Sequence, residues 1–322
     1  MKETNNTSYT SGYKTTLSKQ ERVEFREKFC QKSLVYGFSS NVLITGSIYL
    51  SYYVAFFALS VFESHLVLSV VMLLNIVFVT RQMRALENIV HFGSHSNFSK
   101  SKRVNDLVTN LFAAWPMLQE IKSYRQFHMS HHGDFGSHQD PCRARLQTVG
   151  ANVANIESTY RILLLIVKWM PAYIREYYRE IKSSGWQLVS FVIWHAVVLG
   201  VIGVSVSWTF VLFCVVCWMV SMFVLLPFLR AIAELSEHDY EKGETVIETT
   251  YNNISLLDRL LIHPAGDAWH ALHHLHPTVP WWKQRVAHEY LMERDCAYRN
   301  ALHRDGFFEQ EEPLQPKILV HG

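Results

Sequence analysis

Two long stretches of this chain contain neither lysine nor arginine. Residues 33–80 lack both, and so do residues 186–229, although the 322-residue chain carries 30 basic residues. Acidic residues are missing from the same stretches apart from Glu63. A helix in a soluble protein normally keeps a charged face, so a buried soluble core does not explain them. Cysteine is also scarce. The five cysteines make no disulfide framework, and none is expected in a region facing the cytoplasm. Cys214 and Cys217 form a C-x-x-C, but inside an apolar run, where helical packing explains them better than zinc or redox work. The net charge of only +2 gives no reason to expect nucleic acid. No internal repeat is visible.

What fills the uncharged stretches is apolar and long. A membrane span needs about 20 apolar residues. Each stretch has room for two, at about 42–61 and 66–80, then 186–206 and 209–229, with turns at 62–65 and at Ser207-Trp208. Positive charge favours the cytoplasmic side. The N-terminus, the middle segment 81–185 and the segment 230–322 are therefore expected in the cytoplasm. The expected fold is an all-α integral membrane protein. Its four transmembrane helices form two hairpins beneath a cytosolic helical cap. A polar N-terminal tail over 1–32 does not read as a secretory signal and turns helical after about Ser18. A membrane domain follows over 33–304, then a loose tail over 305–322. The segments 105–121 and 155–181 read as amphipathic helices lying at the interface.

The chain is rich in histidine, with 17 residues, and their clustering matters more than their number. One block is His91-Phe-Gly-Ser-His95. A second is His128-Met-Ser-His131-His132, and a third is His270-Ala-Leu-His273-His274. Spacings of three and four residues put side chains on one face of a helix. Each block can aim two or three imidazoles at one point. With His238, which follows the second apolar stretch, they supply nine nitrogens, too many for one ion and about right for two. Neutral imidazole suits iron, zinc, copper and nickel alike. All the blocks fall on the same expected side of the membrane, although the topology argument used none of them.

Several neighbours have two readings. Glu87, one turn before His91, either orients a ligand or is a solvated surface carboxylate. Phe92 occupies the place of the glutamate in the H-E-x-x-H zinc protease signature, which excludes that motif. Arg230, Glu234 and His238 are spaced by four, as an ion pair with an incidental histidine would be; beside the other blocks, His238 becomes the ninth ligand. His195 lies within a span and reads as bonded to a neighbouring helix. His276 falls outside the cluster, and Pro264 and Gly266 separate His263 from the third block. His65 sits in a turn on the far side. His288, His303 and His321 read as surface residues.

The blocks HFGSH, HMSHH, the SEH containing His238 and HALHHLHPTVPWW, in this order and after membrane stretches, resemble the membrane fatty-acid desaturase and hydroxylase superfamily. The resemblance covers roughly residues 40–290. It implies four membrane helices and a cytosolic region holding two Fe2+ ions. By position, the implied ligands are His91, His95, His128, His131, His132, His238, His270, His273 and His274. It also implies O2-dependent attack on an unactivated C–H bond of an aliphatic chain, with desaturation ahead of hydroxylation. No fused haem domain or ferredoxin cysteine pattern is present, so electrons are expected from an external ferredoxin or similar carrier. Phe92 in the first block and the lead-in His263-Pro-Ala-Gly-Asp267 to the third depart from the family pattern. They leave open hydroxylation, terminal-alkene formation, or desaturation of a small amino-acid-derived metabolite. A transporter or metal-storage protein fits less well, because transporter ligands usually lie near the bilayer midplane.

Overall fold

A computed structural model describes residues 11–151, 156, 158–182 and 185–308. The remainder, including His321 and most of the expected C-terminal tail, lies outside the described residues. The chain is mostly helical. Four helices are long and apolar enough to cross a membrane: Leu34–Val61, His65–Ser94, Gly185–Ser205 and Trp208–Glu237. They cover the four expected spans, except that the third helix stops one residue short of 206. The boundaries between them are shorter than expected. Ser64 caps the second helix by accepting from the Val67 amide, so His65 belongs to the helix and not to the turn. Ser207 accepts from Phe210 N in the same way, and Trp208 is already helical.

The chain divides into two compact units. One comprises Lys32–Gln126 and Met170–Ala231, the other Met1–Gln31, Phe127–Trp169 and Ile232–Gly322. In the first unit, the sparse polar side chains of the spans find each other. Asn75 Nδ2 donates to Ser51 Oγ at 2.7 Å and Gln82 Nε2 to Ser47 Oγ at 2.6 Å, so the first two of these apolar helices are hydrogen-bonded to each other. The segment 105–121, expected as one amphipathic helix, is broken. An α-helix Lys102–Thr109 passes into a π-turn, Asn110–Ala114, and a 3-10 turn, Trp115–Met117. Pro116 cannot extend the regular ladder, and Leu118 stops it in the left-handed region at φ +57°.

In the second unit, helix α1 (Lys19–Phe29) opens at Ser18 with a capping box to Glu21. It buries Phe25 and Phe29 against Ala271, Leu272, Tyr290 and Leu291. Ahead of it, Tyr13, Thr15 and Thr16 all bond the carboxylate of Asp295. Two short strands, β1 (Tyr251–Asn253) and β2 (Leu302–Arg304), pair in parallel and correct the all-α expectation. Arg304 fastens this region. It is fully buried, donates to Ser236 O at 2.7 Å and Ile156 O at 3.2 Å, and lies 3.8 Å from the Tyr251 ring centre. No periodic pattern marks strands of three residues, so they are invisible before the chain is folded.

Candidate metal centre

Helix α2 (Ile121–Gly133) carries the second histidine block, and a short helix α3 (His270–Leu275) carries the third. His238 stands just after the helical turn ending at Glu237. These three places, distant in sequence, bring seven histidines together in the second unit. They form two groups. In the triangle, Nε2 of His132 is 3.1 Å from that of His128 and 3.2 Å from that of His273, and His128 and His273 are 3.3 Å apart. In the quartet, Nε2 of His270 lies 3.0 Å from His238 and 3.2 Å from His274, and His274 lies 3.2 Å from His131. His91 and His95 belong to the other unit, at the end of the helix His65–Ser94, with ring centres 6.3 Å apart.

The outward nitrogens decide what the inward ones can do. His131 Nδ1 lies 2.8 Å from Asp140 Oδ1, and a carboxylate only accepts, so Nδ1 carries the proton. Its Nε2 is then the nitrogen left to offer a lone pair to a metal once the second ring proton is displaced. His238 Nδ1 is 3.1 Å from Thr250 Oγ1. His270 Nδ1 faces Asp267 Oδ1 at 4.0 Å. Partners on Nδ1 with Nε2 atoms converging are the arrangement by which proteins orient metal-bound imidazoles. Lone pairs gathered this closely repel unless a cation lies among them. The residues therefore fit a histidine-held metal pair.

The electrostatics agree. Burial holds His238 and His274 neutral by lowering their pKa well below the usual value. Burial also opposes charge on His131, but Cys142 and Asp140 beside it outweigh that and raise its pKa to about 10. This spot is built to hold positive charge, whether a proton or a metal ion. Burial likewise opposes charge on Asp140, yet its bond to His131 brings its pKa down to about 2.

Asp140 had a signal in the sequence that the histidine pattern hid. Asp140-Pro141 is a helix start, with the aspartate as cap and proline in the first turn. The cap leaves Oδ1 shared among His131, Cys142 N and Arg143 N, and Oδ2 accepting from Gly136 N at 3.0 Å. Thr250, Asp267 and Glu237 carried no such signal.

Other expectations change. Glu87 is buried, not solvated, and its Oε2 is 3.4 Å from Arg84. Glu234 pairs with Arg145 at 2.9 Å, and Arg230 lies 3.4 Å from Glu180. His195 bonds its own helix, through Phe191 O at 3.0 Å, and no neighbouring one among the described residues. His276 is outside both groups, packed on Tyr13 and Phe25, as expected. His263 also stands apart. The turn after it needs positive φ at Ala265 and Gly266, and a Cβ on Gly266 would come within 2.8 Å of Trp281 O. His288 and His303 are the clearest correction. Both are buried, 7% and 8% exposed, and neither is a surface residue.

Comparison with known proteins places the chain in a family. A model described as fatty acid desaturase matches residues 64–307, which take in every block. The dihydrorhizobitoxine desaturase of Bradyrhizobium elkanii is 24% identical over 271 residues, covering 77% of this chain and 75% of the relative.

Proposed function

Because the chain belongs to the fatty acid desaturase family, we propose that it is an O2-dependent membrane di-iron desaturase that introduces a double bond into an aliphatic, fatty-acyl-like chain. The observation that carries this reading is the convergence of seven Nε2 atoms, with those of His131 and His238 backed by hydrogen-bond partners on Nδ1. His91 and His95 would complete a set of nine ligands for two Fe2+ ions. Bound iron would supply the reduction of O2 that removes hydrogen from an unactivated C–H bond. The protein's own part is to hold those ligands in one tautomer, to position one pair of methylenes and to exclude water. The overall change is R–CH2–CH2–R′ + O2 + 2e⁻ + 2H⁺ → R–CH=CH–R′ + 2H2O. An external donor, a ferredoxin or similar carrier, would deliver the electrons.

In this reading the four apolar helices form two hairpins, with the site, the cap and both termini on the cytoplasmic side. Reporter fusions at Glu63 and Ser207 should behave as external and a fusion at Asp134 as cytoplasmic. The relative named for dihydrorhizobitoxine favours a second reading of the same site, desaturation of a small amino-acid-derived metabolite. Hydroxylation or terminal-alkene formation would use the same metals.

The test supplies a reductase and ferredoxin under 18O2 with fatty-acyl or small amphiphilic substrates. A product two hydrogens lighter and without label is expected. Label in the product would make the enzyme a hydroxylase, and turnover without O2 would remove the oxidative reading altogether.

A further inference from the structure

Of the quartet, His270 is held differently from His131 and His238. His131 rests on a carboxylate at 2.8 Å and His238 on a hydroxyl at 3.1 Å. Around His270 stand two carboxylates that do not reach hydrogen-bond distance. Asp267 Oδ1 is 4.0 Å from its Nδ1, and Glu237 Oε2 is 3.7 Å from its Nε2. What both carboxylates share is His263. Its Nδ1 is 3.1 Å from Asp267 Oδ2 and 3.8 Å from Glu237 Oε1. Its Nε2 is 2.8 Å from Ser236 Oγ. Ser236, Glu237 and His238 are consecutive, so this histidine ties the segment that delivers His238 to the turn that delivers His270. His263, Asp267 and Ser236 are each at most 1% exposed.

We propose that His263 is a positioning residue: by bonding Asp267 through Oδ2 it leaves Oδ1 turned toward Nδ1 of His270 and so fixes that ring within the quartet. The inference rests on the reading of the quartet as a metal site. A carboxylate fixed at one oxygen offers the other in a defined direction, as Asp140 does when Gly136 N holds its Oδ2 and His131 meets its Oδ1. Without His263, Asp267 would lose the bond to Oδ2 that sets the direction of Oδ1 toward His270. The positive-φ turn at Ala265 and Gly266 folds the lead-in back far enough for His263 and Asp267 to meet. The departure from the family pattern at residues 263–267 thereby acquires a role.

The test uses the full-length protein in detergent, loaded anaerobically with Fe(II). Iron per chain is measured after dialysis against a chelator, together with the Mössbauer spectrum and the melting temperature of the metal-free protein. Wild type should retain two irons. His263→Leu and Asp267→Asn should each weaken one iron by about 10- to 100-fold, the usual effect of losing a ligand's supporting partner. The other iron should stay, with metal-free melting little changed, and the double variant should be no worse than either single one. His263→Gln, whose amide can still donate to Asp267, should recover much of the loss. Three results overturn the proposal: two irons and an unaltered spectrum in His263→Leu, loss of both irons in step with a lower metal-free melting temperature, or a third iron in wild type that His263→Leu removes. The last would make Glu237, His263 and Asp267 a metal site in their own right. A wild-type protein that binds no iron would overturn the proposed function along with it, whereas the other outcomes leave that function standing.

Discussion

Two sets of buried histidines lie in the same compact unit and do opposite things with the same side chain. In the quartet, each Nε2 has another Nε2 within 3.2 Å, and His131 and His238 engage Nδ1 on the outside. The pair His288 and His303 is as deeply buried, with ring centres 5.2 Å apart. Here the contacts are with uncharged groups. Tyr298 OH bonds His288 Nδ1 at 2.9 Å, and Asn252 Nδ2 donates to His303 Nε2 at 3.3 Å. Burial pushes both pKa values down, to about 3 and about 4, so both rings are neutral. Burial alone therefore does not make a ligand. The direction in which the free lone pairs point separates a site from a satisfied core histidine.

The largest test of that contrast removes a converging nitrogen. His131→Ala or His274→Ala should lower metal retention and O2-dependent turnover by more than about 100-fold, beyond the usual effect of losing only a supporting partner. Elemental analysis and oxygen uptake would show it. Equal losses in His288→Phe would erase the distinction between the two sets.

A smaller effect, about 10- to 100-fold on metal affinity, is expected from Asp140→Asn, which keeps the shape but removes the charge behind His131. The metal-free protein offers a sharper readout. His131 has a raised folded-state pKa of about 10, so the folded state holds a proton that the unfolded state releases near 6.5. Its contribution is complete below pH about 6.5 and is lost as pH rises toward about 10. Melting temperature should fall across that window in wild type and fall less in Asp140→Asn. Identical slopes would disconnect the pair.

The core pair should show the mirror image. His288 and His303 have depressed pKa values, so their contribution is present above pH about 6.5 and is lost as pH falls toward about 3 to 4. His288→Phe should flatten the acid side of the melting profile. It should destabilise the protein by about 1–3 kcal/mol, the cost of stranding a buried polar partner, with metal content unchanged. The smallest effect belongs to His65, exposed at the start of its helix. His65→Ala should change stability by less than about 0.5 kcal/mol in a thermal melt and leave the metals alone.

Much of this molecule is legible before folding because its strongest signals are local. A run of residues without charge can satisfy its backbone in a membrane only as a helix, so the windows at 33–80 and 186–229 named the four long apolar helices. Spacings of three and four within HMSHH and HALHHL placed ligand-type nitrogens on one helical face with no knowledge of the partner. Even Asp140-Pro141 announced its helix. Nothing local pairs Asp140 with His131, Thr250 with His238, or His263 with Asp267 and Ser236; those pairs depend on where turns and caps deliver each segment. Tertiary structure alone also separated His288 and His303 from the exposed surface, through β2 and the Asn252–Tyr298 network, and broke the segment 105–121 at Pro116 and Leu118. The sequence by itself determined which residues could bind metal and which helices were apolar enough for a membrane, since hydrophobicity and helical period act over a few turns. Which nitrogen of a histidine is left for a metal is a matter of partners from 9 residues away, as Asp140 is from His131, to 51, as Asn252 is from His303, and only the folded chain decides it.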